Sequence, residues 1–149
     1  MAGMTVKVDD AEFRRRIKNL KSGVDDPSRL MKVWGEIAHE SIAHNFEVGG
    51  RPARWVPLSR VTVKLKGHAR PLIGKTGQLK NIAVKPGAKN VEIGTSPAAR
   101  AYAAIQQFGG NAGRGRKVII PERPFVLLQQ DDKTEMRAEM VKFFQRLGS

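Results

Sequence analysis

The sequence predicts an α+β fold in which a small antiparallel sheet packs against a long amphipathic helix, with N- and C-terminal helices and long basic loops. Three observations favour it: one long segment of helical periodicity, two short β-like segments around a turn sequence, and a basic middle rich in glycine and proline. No internal repeat or linker divides the 149 residues. We therefore expect a single domain over 1–149, with the basic loop 49–76 and the basic tip 109–117 as insertions.

The first segments are predicted to form a short strand followed by a helix. Met4–Val8 alternates apolar and polar residues, which is typical of a strand, and Asp9 with Glu12 resembles a capping box. The helix has one apolar face, made by Phe13, Ile17 and Leu20. Gly23 and the Asp25–Pro27 segment are expected to end it.

The strongest helical signal runs from about Pro27 to Glu47. Asp26 is suited to cap its N-terminus, and Gly49 with Gly50 to end it. Apolar residues recur in steps of four: Leu30, Trp34, Ala38, Ile42 and Phe46, with Val33 and Ile37 beside them. We expect this stripe, including Trp34, to be buried in the core.

The remaining elements follow from the same patterns. The segment 51–76 carries three prolines and is predicted to be an extended, poorly packed loop, with a short helix at Ser59–Lys66 that Ser59 caps. The later elements are a hairpin of Asn81–Lys85 and Asn90–Thr95, a helix at Pro97–Phe108, a flexible tip at Asn111–Lys117, strands at Val118–Ile120 and Phe125–Leu128, and a final helix that begins at Asp131.

Positive charge is concentrated in the middle of the chain. The net charge is +13, from 27 basic and 14 acidic residues. Between Val48 and Pro121 there are fourteen Lys and Arg residues and one acid, Glu92, whereas charges of the two flanks cancel. A charge run is often just a solvated face that aids solubility, but such a face usually mixes signs. The absence of acids from Val48 to Val91 instead favours a negatively charged partner, such as nucleic acid or an acidic protein.

Several function classes lack the residues that they need. The chain has no cysteine, which excludes disulfide scaffolds, thiol nucleophiles and thiolate zinc sites. The N-terminus is acidic and has no apolar stretch of the kind found in signal peptides, so we expect no signal peptide. No run of about 18 apolar residues is present, so we expect no membrane span. We therefore expect no membrane partner.

Two motifs resemble catalytic or ligand sites without matching them. His39 and His44 are five residues apart, so they point about 140° apart on a helix, whereas a zinc-binding pair needs a spacing of four. Gly74-Lys75-Thr76 resembles the end of a phosphate-binding loop, but the first glycine of that motif is replaced by Ala69. The sequence thus predicts no enzyme, no cofactor and no metal.

The basic loop and the basic tip contain the candidate contact residues for a partner or DNA. Trp55 could stack on a base or a neighbouring subunit, or could anchor its loop in the core. The candidates are Arg51, Arg54, Trp55, Lys64, Lys66, Arg70, Lys75, Arg114, Arg116 and Lys117.

An ordered set of segments resembles the phage virion morphogenesis family, the tail completion proteins of Mu-like and related tailed phages. The segments are Phe46–Ser59, Arg70–Ile73 with Thr76–Leu79, Val91–Thr95, Tyr102–Gly110 and Ile120–Phe125, and they span nearly the whole chain. Gln106 departs from the family pattern, which more often has a histidine there, so no imidazole role carries over.

The resemblance implies a structural virion protein that acts at the head–tail junction as an oligomeric ring and is made in the host cytoplasm. Its expected partners are further copies, neighbouring neck and tail proteins, and DNA in the channel. A tail terminator or capsid-assembly factor remains a close alternative. A DNA-binding module is the alternative that the central charge itself suggests, although no helix-turn-helix is evident.

Overall fold

A computed structural model describes residues 11–149, which form an α+β fold of five α-helices and two antiparallel strand pairs. The predicted Met4–Val8 strand and the Asp9 capping residue lie outside the described residues. The helices are α1 (Ala11–Asp25), α2 (Ser28–Val48), α3 (Arg60–Lys66), α4 (Arg100–Phe108) and α5 (Gln130–Gly148). The strands are β1 (Ile82–Pro86), β2 (Val91–Thr95), β3 (Gly110–Ala112) and β4 (Val118–Ile120).

The long helix α2 is the centre of the fold, and its bounds lie within one residue of the prediction. Its apolar stripe is buried as expected at four of the five positions, but Trp34 is only half-buried. Trp34 faces α5, where its ring Nε1 donates a hydrogen bond to the Met136 carbonyl at 2.9 Å. Beyond the helix, Gly49 takes the left-handed conformation at φ 78° and its N–H donates to Asn45.

The two terminal helices pack with α2 as a layer of helices. Trp34 of α2 contacts Met136 of α5, and Ser41 contacts Asp132, so the two helices run antiparallel. Helix α1 ends at Asp25, within the Asp25–Pro27 segment that was predicted to end it, although Gly23 itself is still helical. Gly23 is buried because α1 and α5 approach closely there: a Cβ at Gly23 would lie 1.9 Å from Leu147 Cδ1.

The β1–β2 hairpin packs against α2, as the sequence predicted. Its register pairs Ile82 with Thr95 and Pro86 with Val91. Gly35 allows the close approach of helix and strand, because a Cβ there would lie 3.1 Å from Val84 Cγ1. The second pair, β3 with β4, forms a separate sheet, so the strands do not join into one sheet within residues 11–149.

The main core cluster lies at the C-terminal end of α2, where side chains from the basic loop, the segment before β1, the start of α4 and the segment after β4 meet. It consists of Ile42, Phe46, Trp55, Leu72, Leu79, Ala99, Ala103 and Phe125. The Phe46 ring lies 5.5 Å from that of Trp55 and 5.6 Å from that of Phe125, centroid to centroid. These ring contacts connect α2 to the basic loop and to the segment before α5.

The predicted strand at Phe125–Leu128 is absent, although its backbone groups are hydrogen-bonded. The Asn45 side chain donates to the carbonyls of Phe125 and Leu127, each at 3.0 Å. The Gln107 side-chain oxygen accepts from the N–H groups of Phe125 and Val126, also at 3.0 Å. Side-chain amides therefore replace the partner strand that a sheet would have supplied.

The two basic insertions are more ordered than the sequence predicted. The loop is anchored in the core by Trp55 and Leu72, so the expectation of poor packing is wrong. Its short helix α3 is capped by Ser59, as predicted, whose hydroxyl accepts from the Thr62 N–H at 3.2 Å. The tip contains β3 and a 3₁₀ turn at Arg114–Arg116, neither of which the sequence predicted.

Candidate partner-binding groove and basic surface

Arg51 lies inside the fold and is not one of the freely exposed contact residues that the sequence predicted. Its guanidinium donates to Asn45 Oδ1 at 2.8 Å and to the Ser41 carbonyl and hydroxyl at 2.9 and 2.8 Å. Asp132 lies 4.0 Å from the same guanidinium and accepts a hydrogen bond from the Ser41 hydroxyl. Arg51 therefore joins the start of the basic loop to α2 and α5.

Trp55 takes the core position, the second of its two predicted alternatives. Its side chain is 6% exposed, so the ring face is not available for stacking on a base or a subunit. The indole Nε1 donates to the Pro124 carbonyl at 3.0 Å. This contact ties the basic loop to the segment that follows β4.

A groove of about 610 Å³ lies between the basic loop and the second strand pair. One wall is formed by α3 and the residues before it, and the other by α4 and β4. The β4 side chains Val118 and Ile119 line it and are 53% and 78% exposed, and Tyr102 of α4 is 39% exposed. The groove thus offers aliphatic and aromatic surface that lies open to solvent.

Among residues 11–149, two cations line the groove, Lys66 from α3 and Arg123 from the segment after β4, and no acid does. Arg123 is 5% exposed, and its guanidinium donates to the carbonyls of Val56 at 2.9 Å and Pro57 at 3.4 Å. Burial lowers the pKa of Arg123 from its ordinary value. Burial, followed by the nearby charge of Arg123, lowers the pKa of Lys66. Neither Lys66 nor Arg123 forms an ion pair with an acid within residues 11–149.

Most of the other candidate cations lie on the surface. Four belong to the basic loop and are exposed: Arg54, Lys64, Arg70 and Lys75. Three belong to the tip and are also exposed; we call Arg114, Arg116 and Lys117 the tip cations. None of these seven forms an ion pair with an acid in the part of the chain that the structure describes.

The tip cations are held in place by a tight turn. Gly113 and Gly115 have φ values of 77° and 71°, and Arg116 itself has φ 53°. The Arg116 N–H donates to the Gly113 carbonyl at 3.0 Å. Lys117 directly precedes β4, so the tip lies next to one wall of the groove while Lys66 lies in its lining. The fold therefore brings parts of both basic segments to the groove.

Sequence reasoning missed two functional features of this region. Arg123 lies between two prolines, and no local pattern indicates that its side chain reaches back to the basic loop. Ile119 was predicted to lie in a strand, but alternation over three residues does not indicate which side chain is exposed. The contacts of Arg123 with the carbonyls of Val56 and Pro57, and the exposure of Ile119, are set by the three-dimensional fold and not by the local sequence.

The two histidines of α2 lie on its surface. His39 and His44 are both exposed, and the His44 ring Nδ1 lies 3.2 Å from the Glu47 carboxylate. Between Ala11 and Ser149, no group of three or more His, Cys, Asp or Glu side chains is arranged to hold a metal ion. In the same range, no helix has the length and apolarity needed to cross a lipid bilayer.

Comparison with known proteins identifies the family. The sequence profile of the phage virion morphogenesis family matches residues 8–145. The chain belongs to this family. It is also 34% identical over 143 residues to the Mu-like prophage FluMu G protein 2 of Haemophilus influenzae, and the match covers 95% of this chain and 96% of that relative. No solved structure gives a significant match.

Membership confirms the resemblance seen in the sequence and gives the protein a role in phage virion morphogenesis. The family match extends over both basic insertions and the groove between them. The groove and the exposed cations are therefore features of a virion morphogenesis protein.

Proposed function

We propose that the protein is a structural, non-catalytic component of the head–tail junction that completes the tail and joins it to the DNA-filled head. The observation that carries this proposal is the unpaired basic surface of the loop and tip, held on a rigid core, in a member of the virion morphogenesis family. Both DNA and acidic proteins are negatively charged partners for such a surface.

We further propose that the protein acts as a ring of identical copies around the DNA channel. A closed ring would repeat the basic surface of each copy, so that every subunit presents cations to the same partner. Native mass spectrometry of the purified protein and of isolated necks would measure the number of copies. A protein that stays monomeric in solution and in the particle would contradict the ring.

Electron microscopy of lysates from a phage without this gene tests the joining role. The proposal expects full heads lying beside separate, finished tails. Tails of abnormal length would indicate a tail terminator instead, and missing or aberrant heads would indicate a capsid-assembly factor. Normal virions would contradict all three roles.

A DNA-binding module is the second candidate, because fourteen basic residues and one acid lie between Val48 and Pro121. Neutralising phosphates releases counterions, so DNA affinity would fall steeply with salt. Fluorescence anisotropy with a duplex oligonucleotide, measured from about 50 to 200 mM salt, tests this candidate. Affinity that does not change with salt would argue against it.

A further inference from the structure

The groove between α3 and β4 combines exposed apolar walls with uncompensated positive charge. Ile119 is 78% exposed on one wall, and Lys66 with Arg123 lines the same groove. Exposed aliphatic surface is covered favourably by apolar side chains, not by phosphates. DNA would therefore neutralise the charge and leave the aliphatic wall uncovered.

A carboxylate is the anion that fits this setting. The Arg123 guanidinium is held by two backbone carbonyls and has no carboxylate partner within residues 11–149. In a half-enclosed apolar groove, the attraction between opposite charges exceeds that on an open surface. A peptide can supply carboxylates and apolar side chains a few ångströms apart, which matches the two properties of the groove.

We propose that this groove binds an acidic, apolar segment of another virion protein, with a carboxylate facing Lys66 and Arg123 and apolar side chains against Val118, Ile119 and Tyr102. The inference deepens the proposed function. It rests on that function in one respect: the partner is expected to be a protein of the same phage particle. The tip cations next to β4 would contact acidic residues that flank the segment.

Site-specific photo-cross-linking identifies the occupant. A benzoylphenylalanine replaces Ile119 in the protein supplied to cells that produce particles, and mass spectrometry maps the adduct. We expect one adduct, to a segment of another virion protein that carries Asp or Glu beside apolar residues. The matched control places the same probe at Lys89, an exposed residue of the β1–β2 turn. An adduct to DNA, an adduct to a second copy, or no adduct above the Lys89 control would overturn the proposal.

Charge reversal then tests the role of Lys66. Lys66→Glu should reduce the Ile119 adduct at least tenfold, whereas Lys89→Glu, with the same change of charge, should leave it intact. Replacing the cross-linked segment's carboxylate by lysine should restore the adduct in Lys66→Glu. Equal adducts in both variants would refute the assigned carboxylate contact.

A second variant, Ile119→Asp, tests the apolar wall of the groove independently of Lys66. Ile119→Asp alters an exposed side chain, so the fold should persist, with an unchanged melting temperature. A synthetic peptide of the cross-linked segment should bind Ile119→Asp at least tenfold more weakly than the unaltered chain, by fluorescence anisotropy. Equal affinity would contradict the apolar contact.

The experiments distinguish failure of the groove assignment from failure of the proposed head–tail joining role. If phage without the gene join heads to tails normally while the Ile119 adduct persists, the joining role is wrong and the groove assignment stands. If joining is lost with the gene but Ile119→Asp and Lys66→Glu join as well as the unaltered protein, the groove assignment is wrong.

Discussion

The polar cluster around Asp132 should contribute strongly to stability, because three elements meet in it. The Asp132 carboxylate accepts from the Gln129 N–H at 2.6 Å as part of a capping box, and it also accepts from the Ser41 hydroxyl. Its side chain is 12% exposed, and the Arg51 guanidinium lies 4.0 Å away. Asp132→Ala removes all of these partners at once.

The magnitude follows from the separate contacts. Loss of a capping side chain typically destabilises a protein by about 1 kcal/mol. A buried hydroxyl without its acceptor adds about 1–3 kcal/mol. The half-buried Arg51 adds less than about 1 kcal/mol, because it keeps its bonds to Asn45 and Ser41. We therefore expect Asp132→Ala to lower the free energy of unfolding by about 3 kcal/mol.

Urea denaturation monitored by circular dichroism measures this change. The matched control is Glu135→Ala on the same helix, where the side chain is exposed, and its effect should stay within about 0.5 kcal/mol. A loss for Asp132→Ala no larger than that of the control would refute the role assigned to the cluster.

Three further perturbations probe the core and the tip. Trp34→Phe keeps an aromatic ring facing α5 but loses the hydrogen bond to the Met136 carbonyl. Differential scanning calorimetry should therefore record a decrease of about 1 kcal/mol in the free energy of unfolding. A decrease above about 3 kcal/mol would mean that Trp34 is a core residue. Gly50→Ala should destabilise by more than about 2 kcal/mol, since φ is 108° and the new Cβ would lie 2.8 Å from the Trp55 N. Gly74→Ala, where no atom lies within 4 Å, is its control, and equal melting temperatures would contradict the clash. Replacing the tip cations by alanine should leave the melting temperature unchanged and reduce particle yield in a plaque assay; a protein that fails to fold would show that the tip is structural.

Local signals in the sequence predicted the elements that depend on local physics. Helix α2 follows from apolar residues in steps of four, and its end follows from two glycines. Ser59 was recognised as a cap because a hydroxyl before a short helix satisfies a free N–H. The β1–β2 hairpin follows from two β-like runs around a turn sequence.

The elements that were mispredicted depend on contacts that are distant in sequence. Gly23 remains inside α1, and Leu147, far along the chain, packs closely against it. Phe125–Leu128 has the composition of a strand, but the side chains of Asn45 and Gln107 occupy its backbone groups. Neither contact leaves a trace in the local sequence pattern.

Some features of the candidate site could also be predicted from the sequence, and others depend on contacts that only the fold creates. The excess of basic residues in the middle of the chain was visible from composition, and seven candidate cations are exposed on the surface. Arg51 and Trp55 belong to the same segment but face inward, because Asn45 and Phe46 at the end of α2 provide their partners. Charge counting cannot separate an arginine that binds a partner from one that holds the loop in place.

The inward-facing residues explain how long basic segments can form a defined surface. Trp55 fixes the loop wall of the groove against Phe46, and Phe125 fixes the segment after β4 against the same ring. Gln107 adds a hydrogen-bonded connection between α4 and Phe125. The loop before α3 and the segment after β4 are thus anchored to one end of α2, while α3 itself buries no residue. A groove formed in advance loses little conformational entropy on binding, and more of the contact energy remains as affinity. The long loops of this protein therefore suit a rigid docking surface better than a segment that folds on binding.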